Sequence, residues 1–159
     1  LDGDGQHAPE DIPRLIEASR GHARHIIIGA RLKDASAIPR IRYIANRIAN
    51  FWISWACGQR LEDSQSGFRL YPADLLRVLS LNHDKTHGFV FESEALIEAA
   101  RLGYPSLPVA IPAVYRPGAR PSHYRHGDSW HIARMLIWRL LSRGLYLPGL
   151  YRAFFKRAK

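Results

Sequence analysis

The run His25-Ile26-Ile27-Ile28-Gly29 constrains the fold more than any other stretch of the 159-residue chain. Isoleucines in sequence, bounded by charge and glycine, read as a short buried strand. Helical patterns lie on either side of it. Pro9-Glu10-Asp11-Ile12 opens a helix, because Pro suits a first turn and the acids favour the positive N-terminal end. Ile12, Leu15, Ile16 and Ala18 give that helix an apolar face, and Gly21 ends it. Ile41 to Ala56 forms a long apolar helix with Arg42, Asn46, Arg47 and Asn50 as its polar minority, and its Trp52 and Trp55 read as core. Gly67 to Tyr71 alternates like a strand, Pro72-Ala73-Asp74 opens a short helix, and Phe91 to Leu102 forms another, closed by Gly103. Leu107 to Tyr115 is an apolar strand that Pro108 and Pro112 bend or confine to an edge. Helices alternating with strands predict an α/β fold with a mostly parallel sheet flanked by helices.

The apolar share of 47% and the charged share of 23% are those of a globular protein of one domain. A net charge of +9 calls for an anionic counterpart, such as nucleic acid, lipid headgroups or a phosphorylated substrate. No nucleic-acid motif is present, so no nucleic-acid partner is expected. Cys57 stands alone and forms no internal disulfide. No uninterrupted apolar stretch is long enough to span a bilayer. From Trp130 to Lys159, leucines and aromatics interleave with Arg134, Arg139, Arg143, Arg152, Lys156 and Arg157. Such a basic amphipathic tail suits a membrane surface, with aromatics at headgroup depth and cations on phosphates. The alternative is a helix packed on its own domain with solvated arginines.

Chemistry concentrates in four places. In Leu1-Asp2-Gly3-Asp4-Gly5-Gln6-His7, carboxylates one residue apart can place hard oxygen ligands on one Mg²⁺ or Mn²⁺, and the glycines let a bulky anion approach. Gly29-Ala30-Arg31 ends the short strand, where open α/β sheets place ligands, and an arginine there can clamp a diphosphate. Glu62-Asp63-Ser64-Gln65-Ser66-Gly67-Phe68-Arg69 offers a carboxylate, a small turn and a further arginine. Tyr115 to Arg125 is a basic loop able to cover a substrate and grip phosphate.

In this order the segments resemble the family 2 glycosyltransferases of the GT-A fold, nearest the dolichol- and polyprenyl-phosphate sugar synthases. The matching text is D-G-D-G-Q-H-x-P-E-D-I, G-A-R, D-S-Q-S-G-F-R, F-E-S-E with A-A-R-L-G-Y, and S-H-Y-R before Asp128. The resemblance implies that Asp2 and Asp4 hold the metal and the donor's diphosphate, with Gln6 assisting at the ion. It implies that Arg31 contacts the diphosphate and that Asp63 faces sugar and acceptor. Gln65, Arg69, Ser122 and Arg125 are then expected to bind substrate.

The expected reaction is an inverting transfer from a nucleotide-diphosphate sugar to a lipid-phosphate or other membrane-associated acceptor, at the cytoplasmic face of the membrane. A lipid phosphate is already ionised and needs no strong base. A hydroxyl acceptor requires one, and Asp63 is the candidate, with Glu62 behind it. Residues 1–128 are expected to form the C-terminal part of a GT-A catalytic domain, without the nucleotide-binding half that the family carries before it. Residues 129–159 form the amphipathic tail. The competing expectation is a non-catalytic membrane-surface module, or a truncated remnant of such an enzyme.

Overall fold

The computed structural model describes residues 7–31, 40–81, 88–112 and 126–155. Elements follow the chain as α1 (Ile12–Arg20), β1 (Ile26–Ala30), α2 (Arg40–Cys57), β2 (Arg69–Leu70), α3 (Ala73–Val78), α4 (Gly88–Arg101), β3 (Ser106–Ala110), α5 (His126–Leu141) and α6 (Leu147–Phe154). The fold is mixed α/β, as the alternation of patterns predicts. The sheet has the order β2-β1-β3, with β1 at its centre. β1 pairs parallel to β3, Ile26 opposite Ser106 through Ala30 opposite Ala110. It pairs antiparallel to β2, Ile27 opposite Leu70 and Ile28 opposite Arg69. The expected mostly parallel sheet is therefore a mixed one among the described residues. The connection from β1 to β2, residues 31–68, contains α2 and is long enough for either direction, so the pairing itself, not the length of the connection, sets β2 antiparallel.

Every residue of β1 is buried. Ile26 and Ile28 point into the larger core with Ile53, Leu75, Leu96, Ile97, Leu136 and Leu140. Ile27 points to the opposite face, onto Leu15, Phe68 and Ile111. α1 thus covers one face of the strand, and helices α2 to α5 cover the other. Each fully buried isoleucine contributes about 1.5–3 kcal/mol relative to exposure. Gly29 admits the close packing of the smaller core, since a Cβ there would stand 2.8 Å from Ile111 Cδ1. Arg14 fastens α1 to the sheet, donating to the Ala110 carbonyl at 2.7 Å while pairing with Asp11 at 2.8 Å.

Of the apolar face expected on α1, Leu15 is buried, whereas Ile12 and Ile16 are exposed. α4 starts at Gly88 rather than Phe91, which gives Val90 a place in the core. The strand expected from Leu107 begins at Ser106 and ends at Ala110, with Pro108 on an edge strand of the described sheet. Residues 113–115 of that expectation lie outside the described residues.

The C-terminal helices pack on the domain. α5 buries Ile132, Leu136 and Leu140, one helical stripe, and leaves Ile137, Trp138 and Leu141 exposed. Its Arg139 pairs with Glu94 at 2.8 Å and approaches Glu98 at 3.8 Å, both on α4. Arg101 donates to the same Glu98 carboxyl and holds its pKa below the ordinary glutamate value. The domain boundary expected after Asp128 falls inside α5. α6 returns along α2 through a left-handed corner at Gly144, Leu145 and Tyr146. Trp55 Nε1 donates to the Tyr146 carbonyl at 3.2 Å, and the rings of Phe51 and Phe154 stack at 5.0 Å. Gly149 permits this approach. A Cβ there would overlap the Tyr146 ring and stand 2.9 Å from the Trp55 carbonyl oxygen. Gly149→Ala is accordingly expected to lower unfolding free energy by about 1–3 kcal/mol, the cost of overpacking, as measured by denaturant titration. An unchanged midpoint would show that α6 does not depend on this contact.

Candidate functional site

Pairing geometry brings the central residues together. Because β2 runs antiparallel to β1, with Ile28 opposite Arg69, the residues before Arg69 lie beside those after Ile28. Gly29 N–H donates to the Phe68 carbonyl at 2.8 Å and continues the ladder toward the loop. Asp63 and Arg31 meet at this end of β1.

They form a buried ion pair. Arg31 Nε donates to Asp63 Oδ2 at 3.0 Å, and Nη2 donates to Oδ1 at 3.4 Å. The Arg31 backbone N–H also donates to Oδ2 at 3.1 Å, and the Gln65 backbone N–H donates to Oδ1 at 3.2 Å. Asp63 is 1% exposed and Arg31 8%. A carboxylate offers about four lone-pair sites, and here four donors meet them. A general base must have the proton it takes within hydrogen-bond reach. An acceptor hydroxyl would have to displace one of these donors to reach Asp63.

Arg69 is bound within the protein. Its Nε donates to the Ser66 carbonyl at 2.7 Å, Nη2 to the Ser64 carbonyl at 2.7 Å, and Nη1 to the Glu92 carbonyl at 3.0 Å and the Tyr71 hydroxyl at 3.1 Å. Glu92 Oε2 lies 3.6 Å from Nη2. These contacts engage every guanidinium nitrogen and clamp the 64–66 turn onto α4. Gln65 is half-buried, and its side-chain amide donates to Ser64 Oγ at 3.3 Å. Ser66 Oγ accepts the Phe68 N–H at 3.3 Å, a local turn bond that starts β2.

Sequence reasoning did not identify the inner face of α2 as part of this arrangement. Asn50 and Ser54 point inward and bond the loop: Asn50 to Glu62 and Ser64, Ser54 to Leu61. The available signal was a polar minority on an apolar helix, since a buried amide needs partners. Trp52, expected in the core, is instead 41% exposed, with its ring stacked on Trp55 at 5.5 Å. α2 simply carries more apolar side chains than one buried face can hold. Burial pushes the Cys57 thiol up to about 12, which leaves almost no thiolate near neutral pH.

Asp2, Asp4 and Gln6, expected at the metal, lie outside the described residues, as do Ser122 and Arg125. His7, next to Gln6, is buried with its ring 5.3 Å from that of Phe68. No cluster of His, Cys, Asp or Glu suited to a metal occurs among the described residues.

The curated proteins that this chain matches include sugar transferases acting with polyprenyl or dolichyl phosphate. It is 33% identical over 124 residues to the undecaprenyl-phosphate mannosyltransferase of Micrococcus luteus, covering 73% of this chain and 48% of that protein. It is 32% identical over 104 residues to the UDP-N-acetylglucosamine–dolichyl-phosphate N-acetylglucosaminyltransferase of Methanococcus voltae, covering 64% and 41%. The polyprenol monophosphomannose synthase of Mycolicibacterium smegmatis is 27% identical over 114 residues, covering 70% and 43%. Over this part of its length the chain is homologous to these glycosyltransferases, in agreement with the family 2 branch that its motifs resemble. The chain spans less than half the length of each of the three. No protein-family model and no solved structure matches it.

Replacing one member of a buried pair leaves the other uncompensated. Asp63→Ala is expected to cost about 3–5 kcal/mol of unfolding free energy, by chemical denaturation. A loss below about 1 kcal/mol, the range of exposed pairs, would show that solvent reaches the pair.

Proposed function

We propose that this chain forms the C-terminal part of a GT-A catalytic domain in a family 2 glycosyltransferase. The enzyme transfers a sugar, with inversion, from a nucleotide-diphosphate donor to a lipid phosphate at a membrane surface. The observation that carries this reading is the relationship to three polyprenyl- and dolichyl-phosphate sugar transferases across most of the chain.

The geometry at Asp63 supports a phosphate acceptor over a hydroxyl. A lipid phosphate brings an oxygen already ionised near neutral pH, so it can attack the anomeric carbon without a protein base. Asp63 is then free to act as the anchor that its four donors describe. It sets the plane and position of the Arg31 guanidinium, whose positive charge favours the negative charge growing on the departing nucleoside diphosphate. Arg69 and Gln65 shape the loop that presents Asp63.

The donor set of Asp2, Asp4 and Gln6 is two carboxylates and an amide oxygen, the hard ligands that Mg²⁺ or Mn²⁺ takes while also binding phosphate. When bound, such an ion would neutralise charge on the donor's diphosphate. His7, next in sequence to Gln6, packs its ring on Phe68, whose carbonyl accepts the Gly29 N–H two residues before Arg31. Ser122 and Arg125 are assigned to phosphate contacts in the basic loop.

Surface chemistry supports docking on anionic lipid. α2 exposes Ile41, Ile44, Ile48, Phe51 and Trp52, and the neighbouring α6 exposes Leu147 and Tyr151, with Phe155 exposed just after it. Neither helix carries an acidic residue, whereas Arg47 and Arg152 are exposed on them. Aromatics among cations are the composition of a surface seated at headgroup depth. No helix among the described residues is long and apolar enough to cross a membrane.

In the full protein, Asp2→Ala and Asp4→Ala are each expected to lower metal-dependent transfer of labelled sugar to polyprenyl phosphate by at least about 100-fold, the scale of losing a transition-state electrostatic contact. Transfer that is unchanged in both variants would contradict the assignment. Salt-sensitive vesicle binding without any transfer would favour the non-catalytic module.

A further inference from the structure

Asn50 is 5% exposed, in the inward face of α2. Its Nδ2 donates to the Glu62 carbonyl at 2.7 Å. Its Oδ1 accepts the Ser64 backbone N–H at 2.8 Å and the Ser64 hydroxyl at 2.7 Å. Both chain neighbours of Asp63 are therefore bonded to one side-chain amide. One turn further along α2, Ser54 Oγ accepts the Leu61 N–H at 3.0 Å. The loop has little apolar anchoring of its own here, since residues 62 to 66 are all polar. Its conformation is set by these bonds and by the Arg69 clamp on the other side.

We propose that Asn50 is the positioning residue of the Asp63–Arg31 pair: by bonding the residues on either side of Asp63, it fixes where the carboxylate stands and hence where Arg31 points. This assignment rests on the reading of that pair as the transfer site. It also gives α2 two functions on opposite faces. The outer face carries the exposed apolar stripe, and the inner face holds the loop. A side chain of the same length without both donor and acceptor cannot replace Asn50, because the Glu62 carbonyl needs a donor and Ser64 needs an acceptor.

The test compares Asn50→Ala and the milder Ser64→Ala with a control in the core, Leu75→Ala or Ile97→Val, chosen to match the loss of melting temperature. Leu75 and Ile97 are buried in the larger core, on α3 and α4, and make no hydrogen bond to residues 62–66. Two readouts are taken in the full protein: exchange of the Arg31 Nε–H by NMR, and steady-state transfer to polyprenyl phosphate. Asn50→Ala is expected to accelerate Arg31 Nε–H exchange about tenfold or more and to lower kcat about 10- to 100-fold, with donor KM within about threefold, as small misplacement of a catalytic group does. Ser64→Ala should move both readouts in the same direction by less, and the core control should move neither. Unchanged Arg31 exchange in Asn50→Ala, equal acceleration in the core control, or wild-type kcat in the Asn50→Ala enzyme would each overturn the proposal. If the wild-type protein transfers no sugar, the functional reading fails, and the exchange experiment alone decides whether Asn50 positions the pair.

Discussion

The ion pair between Arg31 and Asp63 is the contact on which the rest of the arrangement depends. It joins the end of the central strand to a loop that has almost no apolar side chains to hold it. Taking two charges out of water costs several kcal/mol per ion, and only good geometry with further hydrogen bonds repays it. Here the repayment is visible in the two backbone N–H groups that share the carboxylate with the guanidinium. The surrounding features serve the same end. β2 is short and antiparallel, so the loop before it is delivered to the end of β1. Arg69 ties the loop to α4 from one side, and Asn50 ties it to α2 from the other.

Much of the framework was legible in the sequence because it follows from periodicity. The isoleucine run gave β1, and the apolar spacing gave α1, α2 and α4 to within a few residues. Gly103, with φ +81°, ends α4 where a left-handed residue is needed. Strand direction was not legible. A two-residue strand after a short loop carries no signal separating a parallel from an antiparallel neighbour. The surface of α2 was misjudged for a similar reason: sequence shows that Trp52 is apolar and on a helix, but not that the buried face is already filled.

The site was legible in part. Arg31 and Asp63 are chemically conspicuous, and the structure places them in contact. That they neutralise one another could not be read from residues separated by thirty-odd positions. The family resemblance implied that Arg69 binds substrate. The structure gives its guanidinium five partners inside the protein. Asn50 was read only as one of the polar minority of α2, because an asparagine on an apolar helix is unremarkable until its carbonyl and amide partners are known. For the C-terminal segment the structure shows packing on the domain. α5 packs its leucine stripe and Arg139 on the domain while turning Trp138 and Ile137 outward.

A double-mutant cycle on Arg31 and Asp63, read as unfolding free energy, tests the central claim most directly. If the pair anchors the site, Arg31→Leu and Asp63→Leu each destabilise strongly, and the double variant loses at least about 1 kcal/mol less than their sum, the mark of coupled partners. Losses that add to within about 0.5 kcal/mol would mean that the two residues act independently, and would contradict the account.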